Sequence, residues 1–136
     1  MTLSWQGPSQ AKVGDKIHLT LNTQTTQGLK NLGFQVGYDP AVLKLSDVVE
    51  GGFLNQDNTQ AKFTKAMEPR SGNVQVSLYG QGKGASGSGS VATLEFEVVG
   101  EAKQSPITVS RIVPIGTSGE ILAFTAPKPH SIAVGQ

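Results

Sequence analysis

Gly33-Phe34-Gln35-Val36-Gly37-Tyr38-Asp39-Pro40-Ala41-Val42-Leu43-Lys44-Leu45 is the stretch that decides the fold class. Side chains along a β-strand point alternately to opposite faces. Phe34, Val36 and Tyr38 therefore share one face, and Gly33, Gln35 and Gly37 share the other. Apolar residues on one side only mark a strand with one face in a core. Asp39-Pro40 is a turn former, and a second strand begins at once with Val42. The face with Gly33, Gln35 and Gly37 is flat and uncharged, which leaves room for something to lie on it.

Similar alternation recurs on both sides of this stretch. Leu3 and Trp5 alternate with polar neighbours, and Ile17, Leu19 and Leu21 alternate with His18, Thr20 and Asn22. Val42 to Val49, Ala61 to Met67, Val74 to Tyr79, Ala92 to Val98, a strand begun by Ile107 and Val109, Ile121 to Phe124, and Ile132 to Val134 read as further strands. Gly7-Pro8, Val13-Gly14-Asp15, Glu68 to Gly72, Gly100 to Ser105 and Gly116 to Gly119 read as turns. Thr23 to Lys30 and Asn55 to Gln60 read as polar loops. Gly80 to Ser90 is low in complexity and reads as a mobile loop, because it offers no apolar side chains to bury. About nine short strands with several long connections predict an all-β fold, a β-sandwich or jelly roll.

Composition narrows the class. The chain has 136 residues, enough for one domain with a sizeable core. Only 15% of the residues are charged, below the roughly 25% usual in globular proteins, which suits an extracellular β domain. The net charge is +1, with no basic tract, so nothing argues for nucleic acid or an anionic membrane. No Cys is present, which excludes a disulfide framework and a thiolate metal site. No apolar run reaches the roughly 20 residues that span a bilayer, so no membrane insertion is expected. Met1 to Trp5 has neither the charged start nor the apolar core of a signal peptide. The expectation is a single domain over 2–135, excised from a longer chain.

The residues resemble the cohesin domain family. Val13-Gly14-Asp15 before an alternating strand, Gly33 to Leu45, Gly52-Phe53-Leu54, and Gly89-Ser90-Val91-Ala92-Thr93-Leu94-Glu95-Phe96-Glu97-Val98 carry the resemblance, which runs from about Leu3 to Val134. It implies a nine-stranded jelly-roll sandwich. It also implies a non-catalytic receptor, secreted or in the bacterial cell envelope, that binds a dockerin-type or other protein partner. The family's docking surface is the outer face of the sheet made by strands 8, 3, 6 and 5. On that face the resemblance places Gly33, Gln35 and Gly37 on strand 3, Gln75, Ser77 and Tyr79 on strand 6, and Lys62 and Thr64 on strand 5. Arg111 falls near the end of strand 8, where a bulge would change its face. An aromatic ring with amide and hydroxyl side chains on a flat sheet suits protein docking.

Other candidates carry less. Trp5, Phe34, Phe63, Leu94 and Phe96 read as core, and Tyr38 as a strand end whose hydroxyl reaches backbone or solvent. His18 and His130 are far apart and read as surface residues, with no zinc-ligand spacing. Glu95 and Glu97 stand about 7 Å apart on one strand face, a separation compatible with paired glycosidase carboxylates, but the pattern fits a solvated face of an outer strand. Loop carboxylates such as Asp57 lack the spaced oxygen ligands of a calcium loop. No nucleophile–base or acid–base set can be named, so no enzyme and no cofactor is expected. A carbohydrate-binding module that takes polysaccharide, and an assembly domain of a secretion-pathway outer-membrane protein, are the alternative functions.

Overall fold

The computed structural model describes residues 1–53, 62–68, 70–80 and 84–135. The expected loop over 55–60, Asp57, Ala61, Pro69 and residues 81–83 of the Gly/Ser tract lie outside them. The described residues form nine strands and no helix: β1 (Thr2–Gln6), β2 (Gln10–Lys12), β3 (Lys16–Gly37), β4 (Leu43–Glu50), β5 (Lys62–Glu68), β6 (Asn73–Tyr79), β7 (Ala85–Val98), β8 (Ala102–Gly116) and β9 (His130–Gly135). They make a jelly-roll sandwich of two layers, continuous through β3.

β3 is the spine of the fold. Its first part pairs with β1 on one side and β7 on the other, with β4 beyond β7. Its last part pairs with β6 and β8, so the second layer runs β2-β9-β8-β3-β6-β5. Asp39-Pro40 then carries the chain from the second layer to β4 in the first. The Asp39 carboxylate accepts from the Ala41 N–H at 2.9 Å, and its carbonyl accepts from Val42 and Leu43. Side chains of this kind make turns by mimicking a backbone acceptor. Gly72 closes the corner from the β5–β6 turn, for its carbonyl accepts from the Tyr38 N–H at 2.8 Å.

Two expected loops are strand. Thr23 to Lys30 was expected to be a polar loop, but it lies within β3. Thr23 and Thr25 take inward positions and are buried. Their hydroxyls donate to the Thr2 and Gln27 carbonyls, which removes the cost of burying them. Ala85 to Ser90, expected to be mobile, forms the start of β7 and pairs with Asn22 to Thr25 and Leu29. Backbone ladders do not need side chains, and Ala85 and Val91 supply the buried contacts at its ends. Gly87 takes a left-handed φ of 96°, which glycine adopts without strain.

Four smaller corrections concern turns and strand positions. The turn at Gly116 to Gly119 is present, but Ile121 makes only an isolated bridge to Ile115, and no strand covers Ile121 to Phe124. The turn expected over Gly100 to Ser105 ends early, since β8 begins at Ala102, and β2 was not foreseen. Glu95 and Glu97 sit on a strand flanked by β3 and β4, not on an outer strand.

Phe34, Val36, Tyr38, Leu94 and Phe96 are buried between the layers, with Tyr38 edge-on to Phe96 at 5.1 Å between ring centres. Trp5 and Phe63 are only partly buried and pack against this core from its margins. The Tyr38 hydroxyl reaches neither solvent nor a well-formed hydrogen bond. Burial pushes its pKa up, and the nearby Leu45 backbone pulls part of the way back.

Candidate docking face

The outward residues of β8, β3, β6 and β5 form a lattice of four rows. In register they run Ile115–Asn31–Tyr79–Lys62, Val113–Gly33–Ser77–Thr64, Ser110–Gln35–Gln75–Ala66 and Thr108–Gly37–Asn73–Glu68. Paired residues lie on the same side of a sheet, so each row crosses one surface. The partners one step along each strand point into the core: Leu32, Phe34 and Val36 on β3, and Val74, Val76 and Leu78 on β6. The alternation that builds the core thus also builds this face.

The structure brings together Gly33, Gln35, Gly37, Lys62, Thr64, Gln75, Ser77 and Tyr79 on this face. Tyr79 is its large exposed ring, 46% accessible. The Gln35 amide oxygen is buried at the middle and has no hydrogen-bond partner. Lys62 is the charge in the first row and Glu68 the charge in the last.

Arg111 lies off the regular lattice. Gly33 pairs with Val113 and Gln35 with Ser110, so β8 holds one extra residue opposite Phe34. Two-against-one pairing is a β-bulge, which re-aims side chains. Ile112 packs against the core, while Arg111 is exposed with a left-handed φ of 53°. It is the one non-glycine with positive φ among the described residues. Its backbone position therefore falls between the second and third rows.

Between Tyr79 and Val113 the face sinks into a shallow depression of about 200 Å³ over Gly33 and Ser77, with Asn31 and Ile115 on its rim. Sequence reasoning missed Asn31, Asn73, Val113 and Ile115. Extending the Gly33–Gln35–Gly37 alternation one step upstream finds Asn31, and one step before Gln75 finds Asn73. No such signal reaches Val113 and Ile115, since β8 is apolar on both faces there and the bulge breaks its period.

The other candidates do not assemble. His18 faces Glu95 at 3.4 Å on the outer surface of the first layer, and His130 Nε2 lies 2.7 Å from the Pro8 carbonyl, so the two are apart. Among the described residues no group of three His, Cys, Asp or Glu side chains could hold a metal ion. No described helix is long and apolar enough to cross a membrane.

A family model for the cohesin domain matches residues 1–122. The chain belongs to the cohesin domain family. Its fold is similar to a non-cellulosomal cohesin from the hyperthermophilic archaeon Archaeoglobus fulgidus, with a TM-score of 0.81, 17% identity, and coverage of 100% of this chain and 93% of that one. It is also similar to a type II cohesin domain from the cellulosome of Acetivibrio cellulolyticus, with a TM-score of 0.82, 18% identity, and coverage of 96% and 94%. A third similar chain comes from a type I cohesin–dockerin complex from Clostridium thermocellum, with a TM-score of 0.77, 14% identity, and coverage of 98% and 99%. At these identities the likeness shows the fold. A comparison with curated proteins found no match.

Proposed function

We propose that this cohesin is a non-catalytic receptor domain of a secreted or cell-envelope protein, and that it docks a dockerin-type protein partner on the outer face of β8, β3, β6 and β5. The observation that carries the proposal is the lattice itself. Two glycines, Gly33 and Gly37, leave two of its rows without a side chain on β3, while Gln35, Gln75 and Ser77 offer hydrogen bonds and Tyr79 offers contact area. Tyrosine orders at low entropic cost because it has only two side-chain torsions. Membership of the family supports the choice of partner, as does the likeness to a chain solved with a dockerin.

The test is capture of dockerin modules encoded in the source genome by wild-type protein, Tyr79→Ala and Gln75→Ala. Wild type retains a module, and each substitution weakens retention about tenfold or more, the scale of a residue at an interface centre. Capture that survives both substitutions moves the site elsewhere.

Polysaccharide binding is less supported. Sugar-stacking sites present several exposed rings, and among the described residues only Tyr79 and Phe124 are exposed aromatics. A glycan array without hits disposes of that alternative.

A further inference from the structure

Gly33 has no local reason to be glycine. Its φ is not left-handed, for the glycines with positive φ among the described residues are Gly14, Gly72, Gly84, Gly87 and Gly119. Packing does not demand it either. A methyl group built at Gly33 would meet nothing nearer than the Ser77 hydroxyl oxygen at 3.9 Å and the Val76 carbonyl oxygen at 4.0 Å. Glycine also weakens a strand interior relative to residues with side chains. Gly37, two residues along, differs, because a methyl there would come within 3.2 Å of Thr108 Oγ1. The space that a side chain at residue 33 would take is the depression between Tyr79 and Val113.

The walls of that depression are apolar where they stand highest. Tyr79 is 46% and Val113 45% exposed, large values for apolar side chains on a sheet. Within the first three rows and the adjoining bulge the charges have one sign. Lys62 pairs with Tyr79 in the first row, and Arg111 stands in the bulge between Val113 and Ser110. The first three rows contain no Asp or Glu; Glu68 is in the fourth. A partner segment that covers this corner therefore meets a mainly apolar hollow, with Asn31 and Ser77 in its lining and two cationic residues at neighbouring register positions.

Resting on the docking proposal above, we infer that the hollow over Gly33 is a specificity socket. It takes one aliphatic side chain of the partner, from a segment that also carries a carboxylate beside that side chain. Gly33 acts by absence: a methyl group leaves the socket open, but a side chain of leucine's size would fill it from below. Tyr79 and Val113 clasp the inserted side chain, and Arg111 or Lys62 pairs with the carboxylate. Such a site favours an aliphatic over a charged side chain at that position, because a charge would be desolvated between Tyr79 and Val113.

The experiment is titration calorimetry with the dockerin modules of the source genome as probes, against wild type, Gly33→Ala, Gly33→Leu and Arg111→Glu. Circular dichroism and thermal melting first establish that each variant is folded. Gly33→Leu is expected to raise Kd at least about thirtyfold, the scale of a lost hot spot, while Gly33→Ala changes it by less than about threefold. Arg111→Glu is expected to weaken binding and to reverse the direction of its salt dependence at low ionic strength. If wild type binds a module and folded Gly33→Leu binds it equally well, the socket is wrong and the docking proposal stands. If wild type binds none of the modules, the docking proposal falls and the socket falls with it.

Discussion

The Lys65 ammonium of β5 donates to the Asp47 carboxylate and, at 3.0 Å, to the Val48 carbonyl, both on β4. β5 is the last strand of the second layer and β4 the last of the first, so this one side chain ties the two layers at their open edge. The lattice position next to it, Thr64, belongs to the proposed docking face. Lys65 thus holds the edge strand that presents Lys62 and Thr64.

The pairing has a pH signature. The Lys65 hydrogen bond holds the Asp47 carboxyl below its usual pKa, helped by the Val48 N–H. A depressed folded-state pKa stabilises the fold above the unfolded carboxylate pKa, near 4. The benefit is lost as pH falls through the folded pKa. Lys65→Ala is expected to melt a little below wild type at pH 7, with the gap closing under acid. Both groups are exposed, so the gap is small. Melting scans from neutral to acid pH check this, and a gap constant with pH would contradict it.

Gly72 is the position least able to accept a side chain at the corner. Its φ is 71°, and a methyl there would lie 2.2 Å from the Tyr38 carbonyl oxygen and 2.6 Å from Pro40 Cδ. Gly72→Ala is expected to cost more than about 2 kcal/mol in urea unfolding, from backbone strain and the forced shift. Asp39→Ala, which removes only the turn hydrogen bond to Ala41, is expected to cost about 1 kcal/mol, and Asp39→Asn less.

Tyr38→Phe is expected to be close to neutral, within about 1 kcal/mol, because it removes a buried hydroxyl that makes no well-formed hydrogen bond and keeps the ring on Phe96. The raised pKa adds a second consequence. The unfolded phenol ionises near pH 10 while the folded one stays protonated, so wild type loses stability as pH climbs past about 10. Tyr38→Phe escapes that part of the loss. Urea unfolding at neutral and alkaline pH measures both effects.

Arg111 separates fold from function. A left-handed residue with a side chain costs about 1 kcal/mol relative to glycine. Arg111→Gly is expected to leave stability unchanged or raise it by up to about that amount, and to weaken partner binding. A variant that binds normally would show that the bulge serves the sheet alone.

The fold was legible wherever apolar residues alternate cleanly. Phe34-Gln35-Val36 and Leu94-Glu95-Phe96 give both strand and face. It was illegible where the inward residue is polar. Thr23 and Thr25 read as loop because nothing in the sequence reveals that backbone carbonyls satisfy their hydroxyls. Ala85 to Ser90 read as mobile because a backbone ladder leaves no mark on glycine and serine. That the residues proposed for docking on β3, β5 and β6 share one face followed from the period of two and the family resemblance. The β8 side did not, since the bulge at Arg111 shifts every later residue to the other face.

The central claim is that the β8-β3-β6-β5 face holds the partner. Amide chemical-shift mapping of the labelled protein during titration with a dockerin module tests it most directly. Shifts are expected at Gly33, Gln35, Gln75, Ser77, Tyr79 and Val113, with His18, Asn22 and Thr93 on the other layer unmoved. Shifts confined to His18, Asn22 and Thr93 would contradict the account.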